Sequence, residues 1–348
     1  MPLPSALPPA RTPDPMAAPP LRWGVLGTGW IADRFVAALL KGTRQQVVAV
    51  GSRSAGPGGD FAARHGIARS HASYAALVAD PAVDVVYVAT PHPKHLDHAL
   101  LAISAGKHVL VEKPLALNAA QGRTIAAAAS RAGVFCMEAM WTFFLPKFDV
   151  IDQLLADGAL GRVSAVVADF GESFEATHRI MRADLAGGPL LDLGTYPIAF
   201  ALKVIGVPRV VRAVGTAHPD APSGVNGQLG VLLGDGNQRQ AVIHTSILGS
   251  TPTGATVVGG DASLVIEGPF YQPGGFTVTA TDGRRLHYRE EPAAHAGLFW
   301  QAAELARCVA AGQTGSPRRP LADSIATLAV MDEVRRQVGI VFPDEQAR

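Results

Sequence analysis

Apolar and polar positions follow two different patterns along this chain. Between residues 21 and 140, unbroken apolar runs such as Val83–Ala89 alternate with stretches such as Ile31–Leu40, where apolar residues recur at helical spacing. Unbroken apolar runs of this length are typical of parallel strands that are covered on both faces. The repeated alternation of strand and helix predicts an α/β domain with a doubly wound parallel sheet, a Rossmann fold, over residues 21–140.

Beyond residue 148 the pattern changes to short strand candidates separated by turn signals. Gly234-Asp235-Gly236 and Asp282-Gly283 are turn sequences that commonly join antiparallel strands. Residues 141–348 are therefore predicted to form an α+β domain with a large, mainly antiparallel open sheet. Two closing helices, Leu298–Ala311 and Leu321–Val338, are expected to pack back toward the first domain. The strand candidates are Arg162–Phe170, Arg209–Thr216, Gly227–Leu233, Gln240–Ile247, Ala255–Val258, Ser263–Glu267, Phe276–Thr281 and Leu286–Arg289.

Composition and charge limit the class of protein. A hydrophobic content of 48% with 17% charged residues indicates an ordered globular protein. Lys and Arg total 30 against 29 acidic residues, and a net charge of +1 gives no reason to expect nucleic acid or an anionic membrane as a partner. No unbroken apolar run approaches the roughly 18 residues of a membrane span, so none is predicted.

Cysteine usage and the first residues bear on location and processing. Cys136 and Cys308 lie in apolar surroundings without metal-ligand spacing, so they are expected to be reduced thiols of a cytoplasmic protein. Residues 1–20 are rich in Pro and Ala and are predicted to form a disordered tail. Met16 is a second candidate start of the chain.

The strongest local signal is a glycine-rich turn between a strand and a helix. Trp23–Leu26 is a short apolar run, and the sequence Gly27-Thr28-Gly29-Trp30-Ile31-Ala32 follows it directly. In such a G-x-G-x-x-A turn the first glycine permits the tight turn and the second lets the backbone approach phosphate. Ala32 is small enough for the helix to pack on the strand, and the helix N-terminus attracts the pyrophosphate. We therefore predict a dinucleotide site that Gly27, Thr28, Gly29, Trp30 and Ile31 line.

The end of the second strand bears on the choice of dinucleotide. An NAD-preferring site usually places an acidic residue here for the ribose 2′-hydroxyl, but no acidic residue lies between Asp33 and Asp60. Ser52, Arg53 and Ser54 instead offer two hydroxyls and a cation, which suit a 2′-phosphate. NADP is thus favoured, with NAD as a possible cofactor; the alternative interpretation of these residues is a solvated loop.

A further strand end carries Thr90, Pro91 and His92, with His95 soon after. Ligands bind at the carboxyl ends of strands in doubly wound sheets, so these four residues are candidates to line the nicotinamide pocket. A helix-capping turn is the alternative. His92, His95 and His98 are spaced by three, but that spacing drifts around a helix, and no Cys or second carboxylate joins them; no metal site is predicted.

Three stretches together resemble one family. They are the glycine turn 27–32, the strand end Glu112-Lys113-Pro114 and the segment Gly187–Tyr196. From Leu21 onward the chain is similar to the glucose–fructose oxidoreductase/inositol dehydrogenase (Gfo/Idh/MocA) family. That resemblance implies an NAD(P)-dependent oxidoreductase that acts on CH–OH groups and assembles as a homodimer or tetramer.

The stretch Met137–Trp141, followed by Leu145-Pro146, narrows the resemblance. It is similar to the branch that holds dimeric dihydrodiol dehydrogenases and NADP-dependent D-xylose dehydrogenases. Phe143 departs from that branch, where Arg is expected, and many other members of the family carry His in place of Tyr196. The substrate classes implied are a sugar, a polyol or a trans-dihydrodiol.

The resemblance also implies the catalytic groups. Oxidation of an alcohol needs a proton acceptor, and Tyr196 is the candidate, although an ordinary phenol has a pKa of about 10. A neighbouring ammonium, Lys113, would favour the phenolate, and a cis Lys113–Pro114 bond would aim it inward, with Glu112 beside it at the cofactor. Asp192 is expected to orient substrate hydroxyls and to balance Lys113, since a predicted helix from Leu190 to Ile205 places it on the same face as Tyr196. Without the family pattern, the favoured interpretation is a core tyrosine, a surface lysine and an aspartate that caps a helix, three side chains that never meet.

The remaining substrate candidates are Trp141, Phe144 and Arg179. Trp141, Phe143 and Phe144 either wall an apolar pocket or belong to the core, and Arg179 is a candidate hydrogen-bond donor to a substrate oxygen. Two other functions stay open. One is an NAD-dependent inositol or sugar dehydrogenase, and the other is a catalytically silent protein that senses a sugar or cofactor.

Overall fold

A computed structural model of the protein describes residues 3–221 and 225–342. The chain forms two compact units. The first, the parallel-sheet unit, comprises Pro13–Phe144 and Ala293–Ile325. The second, the mixed-sheet unit, comprises Leu145–Pro292 and the described parts of residues 1–12 and 326–348.

Six parallel strands form the sheet of the parallel-sheet unit, in the spatial order β3-β2-β1-β4-β5-β6. The direction of the strand order reverses between β1 and β4, and in doubly wound sheets ligands bind where this reversal occurs. The predicted Rossmann fold is confirmed. The strands are β1 (Arg22–Leu26), β2 (Gln46–Gly51), β3 (Arg69–His71), β4 (Val85–Val88), β5 (His108–Glu112) and β6 (Cys136–Ala139).

Local sequence explains where several helices begin. The Ser73 side chain accepts a hydrogen bond from the backbone N–H of Ala76 (3.1 Å), and Asn118 accepts one from that of Gln121 (2.9 Å). Such side chains satisfy backbone donors that have no partner inside the helix. The helices are α1 (Trp30–Gly42), α2 (Ala55–His65), α3 (Tyr74–Val78), α4 (His95–Ser104), α5 (Ala119–Ala132), α6 (Pro146–Ala156), α7 (Thr195–Ile205), α8 (Phe299–Ala310) and α9 (Leu321–Val338).

The core of the parallel-sheet unit includes an aromatic cluster under α1. Val85–Val88 is buried at every position, as the unbroken apolar run predicts. The Phe35 ring from α1 stacks on Tyr87 with centroids 4.0 Å apart and packs against Trp23 at 5.7 Å. Burial of three large rings against the first helix fixes the position of the turn that precedes it.

Eight strands form the sheet of the mixed-sheet unit, in the order β14-β13-β12-β11-β7-β10-β9-β8. Among the described strands, β7 and β10 pair in parallel and the other neighbours pair antiparallel. The prediction of a mainly antiparallel sheet is confirmed. The strands are β7 (Val163–Gly171), β8 (Val210–Ala217), β9 (Asn226–Gly234), β10 (Gln240–Ser246), β11 (Ala255–Gly259), β12 (Ala262–Ile266), β13 (Gly275–Ala280) and β14 (Arg285–Arg289).

One face of this mixed sheet is covered by α7. The side chains of Val166, Ala168 and Phe170 are buried on that face, whereas Val167 on the opposite face is half exposed. The stretch Ala183–Ile205, which ends with α7, is apolar and long enough to cross a membrane by composition, but 89% of its most apolar window is buried inside the protein. It is therefore explained as the core helix of this unit.

Residues 3–20 differ from the disordered tail that their composition predicts. Leu3 and Ala18 are buried, and Ala18 packs against two alanines of α8. The backbone N–H of Arg11 donates to the buried carboxylate of Asp149 at 2.6 Å. A few anchors of this kind are enough to order a Pro-rich segment, because proline has little conformational entropy to lose.

Candidate active site

The glycine turn lies between β1 and α1, as predicted. Gly27 has φ of +103°, and a side chain there would meet the carbonyl oxygen of Ala89 at 2.6 Å. Gly29 is exposed, and a Cβ at this position would meet no atom within 4 Å. Ala32 is fully buried against the sheet. The backbone is thus strained for any residue but glycine at the first position and open to an approaching ligand at the second.

The end of β2 carries the residues proposed for the 2′-phosphate. Ser52 is buried, whereas Arg53 and Ser54 are exposed. Ser54 precedes α2 and makes no side-chain capping bond. The charge of Arg53 acts on Tyr74, where it opposes the rise in the phenol pKa that burial produces. An exposed cation and hydroxyl therefore lie where a dinucleotide ribose binds in this fold.

The end of β4 is organised by histidines that bond to the protein. His95 is fully buried, and its two ring nitrogens lie 2.8 Å from the carbonyl oxygens of Thr90 and Pro114. His98 bonds to the hydroxyl of Thr90 at 2.9 Å. His95 was a candidate to line the nicotinamide pocket, but the structure places its ring between two backbone segments. Thr90 and His92 are both buried beside it.

In the part of the chain that the structure describes, no three His, Cys, Asp or Glu side chains group closely enough to hold a metal ion. Both ring nitrogens of His95 lie against backbone carbonyl oxygens, and Nδ1 of His98 bonds to the Thr90 hydroxyl, so these three nitrogens face protein atoms.

The end of β5 presents Lys113 on a segment whose peptide bond to Pro114 is cis, as the resemblance implies. Glu112 accepts hydrogen bonds from the Tyr87 hydroxyl and from the backbone N–H of Lys113 (3.1 Å). Burial raises the pKa of Glu112 to about 6, against the opposing effects of the Tyr87 bond and the Lys113 charge. Lys113 therefore lies on a segment whose backbone is hydrogen-bonded to the side chain of Glu112.

The raised pKa of Glu112 predicts a pH dependence of stability. Between pH 4.5 and about 6 the unfolded chain loses the Glu112 proton while the folded protein retains it, so stability falls as pH rises through this window. The shift lowers the free energy of unfolding by about 2 kcal/mol between the two ends of this window, and we expect Glu112→Gln to remove that pH-dependent loss. Urea unfolding of both proteins from pH 4.5 to 7 measures it; a constant difference in unfolding free energy across this range would rule out the shift.

Tyr196 and Asp192 lie on a segment that is helical but not uniformly so. Leu190–Gly194 forms a wide π-helical turn, and α7 begins at Thr195. Pro197 lies within this continuous helical segment, and because proline has no N–H it cannot donate to a carbonyl oxygen of the preceding π turn. The predicted helix over 190–205 is therefore correct in extent, but its first turn is wider, a feature that is frequent at functional sites.

Asp192 forms a two-pronged ion pair with Arg179. The two guanidinium nitrogens lie 2.7 and 3.1 Å from the two carboxylate oxygens. Asp192 is buried, and Arg179 is half exposed. The pair gives the site a fixed carboxylate beside a cation that solvent or a ligand can reach. Arg182, by contrast, pairs with exposed Asp184, as expected for a surface residue.

Tyr196 is 5% exposed and belongs to an aromatic cluster. Its ring centroid lies 4.7 Å from that of Tyr271 and 6.0 Å from that of Phe170. Phe170 and Tyr271 stack on each other at 4.6 Å. Sequence reasoning missed both partners. Phe170 ends a predicted strand and Tyr271 lies in a loop, and no local motif marks either of them.

A buried lysine supports the Tyr271 loop and was also missed. Lys147 is fully buried, and its ammonium donates to the carbonyl oxygen of Gln272, the residue after Tyr271. Its backbone N–H donates to Glu290 at 2.6 Å. Burial lowers the pKa of Lys147 to about 8, and the charge of Glu290 opposes that effect. The loop beside Tyr196 is therefore tied to the core.

The aromatic candidates Trp141, Phe143 and Phe144 form a 3₁₀ turn after β6 and are all buried. Phe144 is 1% exposed, which favours the core interpretation for that ring. The guanidinium of Arg319 lies 5.5 Å from the ring centre of Phe143.

Family models match two regions of the chain. The model described as an oxidoreductase family with an NAD-binding Rossmann fold matches residues 21–140. The model described as the GFO/IDH/MocA C-terminal domain matches residues 148–265.

Similar proteins include named dehydrogenases. Trans-1,2-dihydrobenzene-1,2-diol dehydrogenase of Danio rerio is 37% identical over 333 residues, which cover 93% of this chain and 99% of that protein. The Homo sapiens protein of the same name is 33% identical over 337 residues, with 94% and 99% covered.

Among solved structures, KijD10, a 3-ketoreductase from Actinomadura kijaniata in complex with NADP and TDP-benzene, matches with a TM-score of 0.80 and 26% identity. The match covers 92% of this chain and 98% of that one. An aldose-aldose oxidoreductase from Caulobacter crescentus complexed with glycerol matches with a TM-score of 0.82 and 25% identity, covering 95% and 99%.

Proposed function

The chain belongs to the Gfo/Idh/MocA family of NAD(P)-dependent oxidoreductases that act on CH–OH groups, and we propose that its substrate is a trans-dihydrodiol. With NADP as cofactor, the protein oxidises this diol or reduces the matching carbonyl compound. The observation that carries the proposal is the buried phenol of Tyr196, which is packed in an aromatic cluster and lies on the same helical segment as the Asp192–Arg179 pair. When bound, NADP supplies the group that accepts or returns the hydride.

The residues of the parallel-sheet unit fit this cofactor. The open space at Gly29 and the left-handed backbone at Gly27 suit a pyrophosphate, which Thr28, Trp30 and Ile31 would border. We assign Ser52, Arg53 and Ser54 to the 2′-phosphate. Thr90, Pro91, His92, Glu112 and Lys113 are assigned to the nicotinamide side, and His95 holds that side indirectly through its two carbonyl contacts.

We propose that Tyr196 and Lys113 act on the same substrate hydroxyl. Tyr196 Oη holds the proton that leaves the alcohol, and the Lys113 ammonium favours the phenolate form that can accept it. Asp192 orients the neighbouring substrate hydroxyl while Arg179 holds the carboxylate in place. Burial of the phenol excludes water from the proton transfer.

The aromatic cluster is the basis for choosing a flat, cyclic diol as substrate. Phe170 and Tyr271 stack on each other beside Tyr196, so the surroundings of the proposed proton acceptor are aromatic. Aromatic surroundings favour an unsaturated ring through dispersion and edge contacts. We assign Trp141 to the same substrate. Sugars are the second candidate class, because Arg179 is half exposed and Asp192 is fixed beside it, and these groups suit a polyol.

A substrate panel tests the proposed function. We expect NADP-dependent turnover of cyclic trans-diols, measured at the absorbance band of the reduced nicotinamide, with slower turnover of pentoses and hexoses. Faster turnover of inositols or sugars with NAD would favour the inositol or sugar dehydrogenase. Tight NADP binding without turnover of any compound in the panel would favour a sensor.

The assignment of Arg53 predicts a change of cofactor preference. Arg53→Ala removes a charge-assisted contact to the 2′-phosphate, and we expect kcat/KM for NADP to fall about 10- to 100-fold while that for NAD changes little. Arg44→Ala is a control, since it removes an arginine from the loop that precedes β2. An NADP/NAD ratio equal to that of the wild type would discard the contact.

We propose that the exposed face of the mixed sheet, opposite α7, binds a second copy of the chain. Val265, Thr256, Val167, Val242 and Leu232 are successive register partners across five strands, so they form one row on that face. The four apolar members are each 42–50% exposed, which is unusual for valine and leucine on a sheet. Sedimentation of the wild type should give a mass of at least twice the 36.2 kDa of one chain, and Val242→Lys should lower that mass. A wild-type monomer at micromolar concentration would refute the assignment.

We also propose a cytoplasmic location. Cys136 and Cys308 are free thiols, which is usual for proteins in a reducing compartment such as the cytoplasm. Both are buried, and burial raises the pKa of each thiol to about 12, so neither is a reactive thiolate.

A further inference from the structure

Glu138, near the end of β6, is the centre of a buried polar cluster that the proposed function does not use. It is 1% exposed, and its Oε2 accepts bonds from two nitrogens of Arg319 (2.8 and 3.0 Å) and from the Ser324 hydroxyl (2.7 Å). Its other oxygen, Oε1, accepts the backbone N–H of Leu115 at 2.9 Å. Arg319 is itself buried, so the ion pair is closed to solvent.

Leu115 follows Lys113 and Pro114 on the segment that carries the proposed catalytic ammonium. Side chains bind the polar backbone groups of this segment one after another. Glu112 accepts the N–H of Lys113, His95 lies 2.8 Å from the carbonyl oxygen of Pro114, and Glu138 accepts the N–H of Leu115. Buried backbone groups need partners, and here side chains replace the ladder that ends with β5.

We propose that Glu138 is a positioning residue for Lys113, acting through the Leu115 N–H, and this inference rests on the proposed role of Lys113. Arg319 and Ser324 hold one carboxylate oxygen so that the other points at the backbone of the segment. The position of the Lys113 main chain is thereby fixed from its carboxyl side. A displacement of about 1 Å at a catalytic group can lower turnover about 100-fold.

The alternative is that the Glu138–Arg319 pair only stabilises the fold. Removing one partner of a buried pair leaves the other charge uncompensated, so single substitutions lower stability whatever the function of the pair. The test therefore compares two variants that both lack the charges of the pair. They differ only in whether the side chain at position 138 offers an acceptor to the Leu115 N–H.

Two matched variants make this comparison. E138M/R319M/S324A removes the ion pair and the acceptor, whereas E138Q/R319M/S324A removes the same charges but keeps an amide oxygen for the Leu115 N–H. We expect the Met variant to lose about 10- to 100-fold in kcat, with an alkaline shift of the limb of the pH–kcat profile that reports the proton acceptor. KM for NADP should stay within about threefold, and the Gln variant should recover most of the loss. Equal kcat and equal pH profiles in the two variants would overturn the proposal.

Gln45→Met is the control for stability. Gln45 is also a buried polar anchor of the parallel-sheet unit, where it accepts bonds from Leu21 N–H and from the Trp23 indole and donates to the Pro19 carbonyl. We expect this substitution to lower the melting temperature without shifting the pH–kcat profile. A shift of the profile with Gln45→Met as large as that with the Met variant would assign the effect to stability and overturn the positioning role.

A measurement on the wild-type protein covers the case in which the variants do not fold. The amide of Leu115 should exchange with deuterium as slowly as amides within β5, in the presence of NADP. Exchange as fast as that of an exposed loop would overturn the proposal. Turnover of the wild type on the substrate panel is measured first, so failure of the proposed function would be seen separately from failure of the Glu138 contact.

Discussion

Tyr196→Phe should lower kcat by about 10²- to 10⁴-fold while the affinity for NADP stays unchanged. The substitution deletes one oxygen and keeps the ring that packs on Phe170 and Tyr271, so the cluster and the fold should survive. What is lost is the group proposed to accept the proton of the alcohol. Stopped-flow measurement of the reduced nicotinamide under single-turnover conditions reports this step without product release.

Tyr288→Phe is the matched control. Tyr288 lies on β14 of the same unit and stacks on Phe276 with centroids 5.0 Å apart, and burial raises the pKa of its phenol to about 12. Losing that hydroxyl should leave turnover within about twofold of the wild type, because Tyr288 is not among the groups proposed to contact the substrate or the cofactor. Turnover of Tyr196→Phe within the same range would remove Tyr196 from the mechanism.

Lys113→Met should lower kcat by a similar factor of about 10²- to 10⁴-fold, and in addition should change its pH dependence. Without the ammonium the phenolate is less favoured, so the rate should continue to rise toward the ordinary phenol pKa of about 10. Methionine fills a volume close to that of the lysine stem, which limits the structural change. The pH–kcat profile from pH 6 to 10 measures the effect.

Two further variants define the role of Lys113. Lys113→Arg retains a charge and should keep the pH profile closer to that of the wild type than Lys113→Met does. Lys41→Met removes an exposed lysine at the end of α1 and should leave the profile unchanged. A Lys113→Met enzyme with the wild-type profile and rate would show that the ammonium does not tune the proton acceptor.

Features that depend on a few consecutive residues were predictable from the sequence. The turn at Gly27 and Gly29 was found because both glycines follow an apolar run directly and precede a helical pattern, and the positive φ at Gly27 requires glycine. The boundaries of strands β7–β14 were predicted to within one residue, since turn sequences separate runs of alternating apolar positions. These signals are local, so one sequence contains them in full.

Features that depend on long-range pairing were not predictable. Phe170 meets Tyr271 and Tyr196 only because β7 packs against α7 and pairs with β11, whose other neighbour β12 leads into the loop of Tyr271. No residue near Phe170 in sequence indicates this. His95 was placed at the cofactor from its position after β4, but its ring turns to the carbonyl oxygens of Thr90 and Pro114. The direction of a side chain depends on which backbone groups lack partners, and that is known only once the strands have been assembled.

The segment 190–205 lies between these cases. Helical spacing correctly indicated that Asp192 and Tyr196 share one continuous helical stretch. The wide turn at Leu190–Gly194 was missed, because periodicity of apolar residues does not distinguish a π turn from an α turn within five residues.

Whether Lys113 and Tyr196 serve one reaction is best measured in a crystal structure with NADP and an unreactive diol analogue. We expect Tyr196 Oη and Lys113 Nζ to lie within about 4–6 Å of each other, with the phenol oxygen hydrogen-bonded to the hydroxyl of the analogue. A complex in which the two atoms face different cavities, or in which the hydroxyl binds away from Tyr196, would rule out the shared role.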